Sequence, residues 1–462
     1  MKNKIIYSLI ILLNIQLLNA QENITFEEAQ QRMNDKNYSL KSAAANKRAQ
    51  EMKRKTMRGL YLPKISVSGT YLKMDKDIGI DISPISEAYS NLTNAPTSKL
   101  LPSTLVLQNE DFSVAGVNFI WPIFTGGKIR SANNAMDANI DDALYKIEQK
   151  ENELNTELVK RYYGYRLSKK AVDLYKESYD AMLIHLDHAK KMEESGMISK
   201  AQRLYVEYST SEAKMKWKKS IRQSQTVKHA LSNTLGDSID VIPISELFLI
   251  KKIEPIEFFM QSAIKNNPLL KQVSSKKDLA KANYNIKRSE YLPTLALVGN
   301  KELYTKDLSP LVPDWFVGIN LSWTLFDGVS RTYKVKSAKA TMDMVDFIDT
   351  KAKSDITTYI YKLYNELQMN VEEMETMSTT YQFANEYLRV QKKAFAEGFA
   401  TSKDVVDAEL TLNKVKIGRI KTMNDYVLTL AKLLEFSGKS QLFLKYSQRD
   451  DIETENFPII NE

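Results

Sequence analysis

Two stretches decide the fold: Gly116 to Phe124, reading GVNFIWPIF, and Gly318 to Phe326, reading GINLSWTLF. Set with Gly116 over Gly318, they match at Val117/Ile319, Asn118/Asn320, Phe119/Leu321, Trp121/Trp323, Ile123/Leu325 and Phe124/Phe326. Positions 117, 119, 121 and 123 are apolar and bulky, while the alternate set in the second copy is Gly318, Asn320, Ser322 and Thr324. Such alternation marks a strand with one apolar and one polar face. A single copy reads as a half-buried strand of a soluble sheet. A tryptophan on the apolar side, as in strands that face lipid near the headgroups, and the duplication turn the reading toward a membrane.

The repetition extends outward. Thr25 to about Leu60 reads as helix, with Thr25, Glu27 and Glu28 suited to its start. Tyr61-Leu62-Pro63 then opens a strand in which Ile65, Val67 and Tyr71 alternate with polar residues. Leu72 to Asp111, about 40 residues rich in Asp, Ser, Asn and Pro, reads as a long exposed loop. Thr125-Gly126-Gly127 ends the first tryptophan strand. It lacks the Gly-Lys-Ser/Thr ending of a phosphate loop, so it reads as a strand-to-helix turn.

Lys128 to Glu194 has no proline and one glycine, Gly164. Val172, Tyr175, Tyr179, Met182, Leu186 and Ala189 recur at the 3.5-residue period of helices coiled on neighbours. About 65 residues make a rod of roughly 100 Å, too long for one globular core to cover. Gly196 suits its C-terminus, and Ser199 with Gln202 fits a capping box for a returning helix that ends near Leu235-Gly236.

The second half answers in order. Tyr291-Leu292-Pro293 repeats Tyr61-Leu62-Pro63, Ser330 to Ala396 is a second rod, Gly398-Phe399-Ala400 is its turn, and Thr401 with Asp404 aligns with the Ser199 cap. The organisation expected is a signal peptide (1–20), a first helix-strand-strand-helix-helix repeat (22–236), a connector (237–255), a second repeat (256–438) and a polar C-terminal tail (439–462). Self-similarity on this scale governs the fold.

The signal peptide reading rests on Lys2 and Lys4, an apolar run from Ile5 to Leu18 and a small residue, Ala20. The chain has 462 residues, a formal charge of +8 and no cysteine. Export with no cysteine means no disulfide framework and no lipidated Cys, so membrane attachment falls to the fold. The modest charge and scattered Lys/Arg groups do not make the basic, aromatic-lined face of a nucleic-acid binder. No hydrolase elbow, zinc-protease helix or nucleotide fingerprint occurs, so neither catalysis nor a cofactor is expected. His185 and His188, one helical turn apart, lack a third ligand type and read as surface histidines rather than a metal site.

Four strands of about 10 residues suit a bilayer. They cannot close, however, and an open edge in lipid strands its backbone polar groups. A spanning barrel needs about eight strands or more, so several chains must pool theirs.

With these features the mature chain, about residues 22 to 440, resembles the TolC-like outer membrane factors. The doubled Tyr-Leu-Pro, the doubled tryptophan strand and Gly398 to Ala408, GFATSKDVVDA, carry the resemblance. It implies a mixed membrane α/β fold: a homotrimer sharing a transmembrane β-barrel, four strands per chain, continued by a long periplasmic α-helical barrel. It implies residence in the outer membrane of a Gram-negative bacterium, and docking to a periplasmic adaptor and an inner-membrane pump. The implied function is a passive exit duct for efflux or type I secretion. The competing reading is a periplasmic coiled-coil adaptor or scaffold without a barrel, which explains the rods but not the doubled tryptophan strands.

The resemblance also implies roles for residues. Asp404 and Asp407 fall where relatives carry an aspartate pair narrowing the periplasmic entrance, a carboxylate ring in a symmetric assembly; Asp404 equally suits a helix cap. The arginine that relatives hold two residues after the turn glycine is Ala400 here, and the first-half aspartate is Gln202, so closure must use other contacts, with Phe395 a candidate at the aperture. The turns Gly196-Met197-Ile198 and Gly398-Phe399-Ala400 set apolar residues at the tip, an adaptor-docking surface. Trp121 and Trp323 are expected at the membrane interface.

Overall fold

The structure, a computed structural model, describes residues 22–93, 103–236 and 241–455. The expected signal peptide lies outside them, as do the first residues of the connector and the last of the tail. The first half runs β1 (Glu22–Ile24), α1 (Phe26–Lys36), α2 (Tyr38–Gly59), β2 (Lys64–Lys73), β3 (Ile78–Asp81), α3 (Ser83–Thr93), β4 (Thr104–Gln108), β5 (Asp111–Phe124), α4 (Lys128–Glu194) and α5 (Lys200–Leu235). The second half runs β6 (Val241–Pro243), β7 (Phe248–Ile250), α6 (Ile256–Asn266), α7 (Pro268–Ser289), β8 (Thr294–Lys306), β9 (Trp315–Ser322), α8 (Ser330–Ala396) and α9 (Ser402–Phe436). A short helix α10 (Phe443–Ser447) and β10 (Ile452–Thr454) follow. Both rods, α4 and α8, are 67 residues long.

The single helix expected over 25–60 is two. Asn37 stops α1 with extended backbone, and its side-chain oxygen accepts from the amides of Ser39 and Leu40, starting α2. Asn267 does the same between α6 and α7, accepting from Leu269 and Leu270. The break is therefore duplicated, but only the second copy has a proline to announce it.

The chain divides into two units. One comprises Arg48–Asp141 and Ser275–Phe347 and holds an antiparallel sheet in the order β2-β5-β8-β9. The register pairs Ile65 with Phe119, Val67 with Val117, Trp121 with Leu297, Leu295 with Leu321 and Leu297 with Ile319. Because side chains alternate, these residues share one apolar face, and much of it is open: Val67 is 73% and Ile319 71% exposed. The opposite face carries a row of amides and hydroxyls, in which Asn118 donates to Ser68 at 2.7 Å and Asn300 donates to Asn118 at 3.1 Å. Pro122 sits at a register shift between β5 and β8, where a missing N–H is tolerated.

Two expectations change in this unit. The second tryptophan strand stops at Ser322, so Trp323, Leu325 and Phe326 lie just beyond it. Its partner β8 begins at Thr294, directly after Pro293, and offers nothing further to pair with. The long loop after Leu72 is also not unstructured. It contains a β3-β4 hairpin and α3, started by Asp81 accepting from the Ser83 amide at 2.9 Å.

The other unit takes in the described residues up to Lys47, Asp142–Ser274 and those from Ile348 on. Its core gathers Phe26, Met33, Tyr162, Tyr163, Phe248, Phe259, Tyr426 and Phe443. Each buried phenol finds a partner, as burial requires. Tyr162 donates to the Ile24 carbonyl at 2.7 Å and accepts from the amides of Ile244 and Ser245, and Tyr426 donates to the Ile250 carbonyl at 3.0 Å. Burial pushes the Tyr162 and Tyr426 hydroxyls well above the ordinary tyrosine value. The tail expected to be polar and without a partner joins this core. β10 pairs antiparallel with β7, and Phe443 and Tyr446 are buried.

Candidate functional site

Two regions carry the residues singled out by sequence. In the sheet unit, each tryptophan is tied to the turn that starts a strand. Trp121 Nε1 donates to the Tyr61 carbonyl at 2.9 Å, and Trp323 Nε1 donates to the Tyr291 carbonyl at 3.1 Å. Both rings remain partly open. An amphipathic ring with its N–H satisfied and its face free suits a level where apolar and polar surroundings meet.

The second region lies at the ends of the helical hairpins. Both rods end in the same left-handed turn. Gly196 has φ 74 and Gly398 φ 80, the region a glycine enters without Cβ strain. The Met197 amide donates to the Met192 carbonyl at 2.8 Å and Gly196 to Glu193 at 2.9 Å; Phe399 donates to Ala394 at 2.8 Å and Gly398 to Phe395 at 3.1 Å. This pair of bonds defines the Schellman close, in which the residue after the glycine usually covers the last helical turn. Here Met197 is 61% and Phe399 86% exposed. Ile198 instead packs on the cluster of Met182, Ala189, Val206, Ala213 and Val406, and Ala400 is half-buried.

The carboxylates at the start of α9 are locally engaged. Asp404 closes a capping box, accepting from the Thr401 amide at 2.8 Å and hydroxyl at 2.6 Å. Those bonds hold its carboxyl below the ordinary aspartate value. Asp407 accepts from Lys403 at 2.9 Å and from the Tyr205 hydroxyl at 3.4 Å. Gln202 occupies the capping position in the first hairpin, opposite Ser199.

Phe395 is buried against the His185 ring, with centroids 5.0 Å apart. His185 Nε2 lies 3.4 Å from the Ser402 carbonyl, so three helices, α4, α8 and α9, meet at this histidine. The expectation of a surface residue fails for His185, which is 7% exposed. Burial depresses its pKa. Its signal was in the register: Ser178, Met182, His185 and Ala189 follow spacings of four, three and four, and all are buried. His188 lines an adjoining cavity of about 550 Å³ with Ile184, Met192, Met197, Lys392 and Val405. Among the described residues no group of three His, Asp or Glu gathers as a metal site.

A residue that sequence reasoning passed over is Glu455. Its fully buried carboxylate accepts from Arg166 Nε at 2.9 Å and from the Leu247 amide at 3.3 Å, with Lys170 3.3 Å away. Its distance in sequence from Arg166 gave no local signal.

Comparison with known proteins settles the lineage. The sequence pattern of the family described as outer membrane efflux protein matches residues 29–237 and 259–439. The chain belongs to that family. It is 23% identical over 210 residues to the alkaline protease secretion protein AprF of Pseudomonas aeruginosa. That alignment covers 43% of this chain and 43% of AprF, so it spans less than half the relative's length. Its fold is similar to that of the outer membrane protein VceC of Vibrio cholerae, with TM-score 0.71, 13% identity, 90% of this chain and 96% of that one covered. It is also similar to the open state of the Neisseria gonorrhoeae MtrE outer membrane channel, with TM-score 0.69, 14% identity, 90% and 89% covered. The fold is thus the TolC-like one, with long helices, β-strands and a tandem-duplicated protomer. The family is one of channels and is not enzymatic.

Proposed function

We propose that this chain is one protomer of an outer-membrane exit duct, passively conducting cargo delivered by an inner-membrane pump and a periplasmic adaptor. The observation that carries the reading is the four-stranded sheet, with a bare apolar face, an amide-lined opposite face and two strands, β2 and β9, that each have one neighbour. In hydrocarbon such edges must be paired, and further copies of the chain supply the pairing. A homotrimer completes a barrel with lipid against the apolar face and water against the amides. A soluble scaffold has no use for that apolar face.

Cargo moves without chemistry, so energy enters from the pump. The hairpin turns meet the adaptor through Met197 and Phe399, which the Schellman turns leave uncovered. Asp404 and Asp407 set a cation-favouring rim at the periplasmic entrance, and the His185–Phe395 contact helps hold the hairpins closed. Purified in detergent and added to a planar bilayer, the protein should give stable conductance steps and run as a heat-resistant oligomer. A non-conducting, water-soluble monomer would refute the reading.

A further inference from the structure

Two charged faces on the helical hairpins lack counter-charge within the chain. Between Glu212 and Asp237, α5 carries Lys214, Lys216, Lys218, Lys219, Arg222 and Lys228 and no acid. Lys214, Lys216, Lys219 and Arg222 are exposed, and among the described residues none of these four forms an ion pair. Arg222 reaches only Gln225 on its own helix, at 3.1 Å, and Lys218 lies over the Trp217 ring.

The rod α8 shows the converse. Between Lys362 and Arg389 it carries Glu366, Glu372, Glu373, Glu375 and Glu386 and no Lys or Arg. Glu372, Glu373 and Glu375 are exposed. Glu366, Glu372 and Glu373 line, with Asp425 of α9, an open groove of about 550 Å³. Glu366 has a single cation, Lys362, at 3.5 Å.

The two faces stand at equal height. Arg222 follows the turn glycine Gly196 by as many residues as Glu372 precedes Gly398, about 26, or roughly 40 Å of helix. Lys219 answers Glu375 in the same way, at about 23 residues, and Lys228 answers Glu366, at about 32. Within one chain the hairpins meet elsewhere: Lys416 of α9 pairs with Glu177 of α4 at 2.7 Å, Tyr205 of α5 reaches Asp407 of α9, and His185 meets Phe395 and Ser402. The basic face of α5 and the acidic face of α8 are left over.

We propose that these faces meet between copies: α5 of one protomer packs against α8 of the next, as a belt of ion pairs around the helical part of the oligomer. This rests on the oligomeric reading above. The occupant of each face is a second copy because both faces belong to one polypeptide, in equal number, opposite in sign and level in height. A face made for a foreign partner would need no such counterpart on the same chain. The interface is head-to-tail and closes into a ring, and the charges fix register and neighbour.

The chain has no cysteine, so introduced cysteines report without background. One tagged copy carries Lys219→Cys and a differently tagged copy Glu375→Cys, co-expressed and oxidised in membranes. A disulfide joining the two tags is expected, and at least several-fold less product from either variant alone. In a second arm, Lys219→Glu with Arg222→Glu lowers the oligomer's dissociation temperature by several degrees, and adding Glu372→Lys with Glu375→Lys restores it. Wild-type protein that is itself monomeric would sink the assembly reading and this interface with it. Wild-type oligomers with neither mixed disulfide nor charge-swap rescue would overturn the interface alone, as would capture of the Lys219→Cys chain by an acidic foreign protein without the mixed disulfide.

Discussion

The indole nitrogen of Trp121 donates to the carbonyl oxygen of Tyr61 at 2.9 Å, and sixty residues of sequence separate the two. Trp323 and Tyr291 repeat the contact at 3.1 Å. The duplicated Trp and the duplicated Tyr-Leu-Pro are therefore one device. The ring pins the far end of one strand to the turn that begins its neighbour.

Replacing that ring by one without an N–H tests the device. Trp121→Phe and Trp323→Phe keep most of the apolar surface and should each cost about 1 kcal/mol, the net worth of a lost hydrogen bond. The check is the dissociation temperature of the purified oligomer in detergent. Equal behaviour of Trp121→Phe and wild type would show that the bond holds nothing.

Glu455 draws the end of the chain onto the core. Glu455→Gln removes the charge facing Arg166 and Lys170 while keeping the shape. With one partner of a buried pair gone, the loss should be roughly 3 kcal/mol. Thermal unfolding and faster proteolysis of the segment after Ser447 would both report it. A variant as stable as wild type would mean the pair does no more than break even.

His185 makes stability depend on pH. Its folded pKa is depressed from the ordinary 6.5 by burial. Above about 6.5 both folded and unfolded histidine are neutral, and the group gives no pH dependence. As pH falls below 6.5 the unfolded chain takes up the proton first, so stability declines until the folded pKa is passed. His188 and Lys191 on the same helix and Lys392 on α8 line the adjoining cavity, and the cations among them oppose a second positive charge. Lys392 itself pairs with Glu409, and Lys403 with Asp407. Denaturant midpoints between pH 5 and 7.5 should slope for wild type and flatten for His185→Gln.

Asp404 and Asp407 separate cap from rim. Asp404→Ala should cost about 1 kcal/mol through the lost capping box. Asp407→Asn leaves the cap intact and should weaken cation selectivity without moving the unfolding midpoint by more than the few tenths of a kcal/mol of an exposed pair. Single-channel reversal potentials in a salt gradient make the comparison. Unchanged selectivity in the Asp404→Asn, Asp407→Asn double variant would remove the rim from the proposal.

The duplicated skeleton could be read because its signals are local. Gly196 and Gly398, the Ser199 and Thr401 caps and the alternation around Trp121 are each fixed by a few neighbouring residues. What escaped depends on distant partners. Glu455 has no meaning until Arg166 is beside it, and Ile452 to Thr454 become a strand only because β7 offers an edge. His185 escaped for another reason. Its spacing was heptad, but a titratable side chain at a buried position looks the same in sequence as one on a wet face. The helix break at Asn37 was missed because it uses a side-chain oxygen where Asn267 is followed by the more conspicuous Pro268.

The two unpaired edges, β2 and β9, have a genetic consequence. A polypeptide that cannot finish its own wall hands every flaw in a margin to its siblings. Cells making sound and margin-damaged copies together would build mostly spoiled assemblies, so such alleles should behave as dominant. Loss of the gene altogether should be recessive.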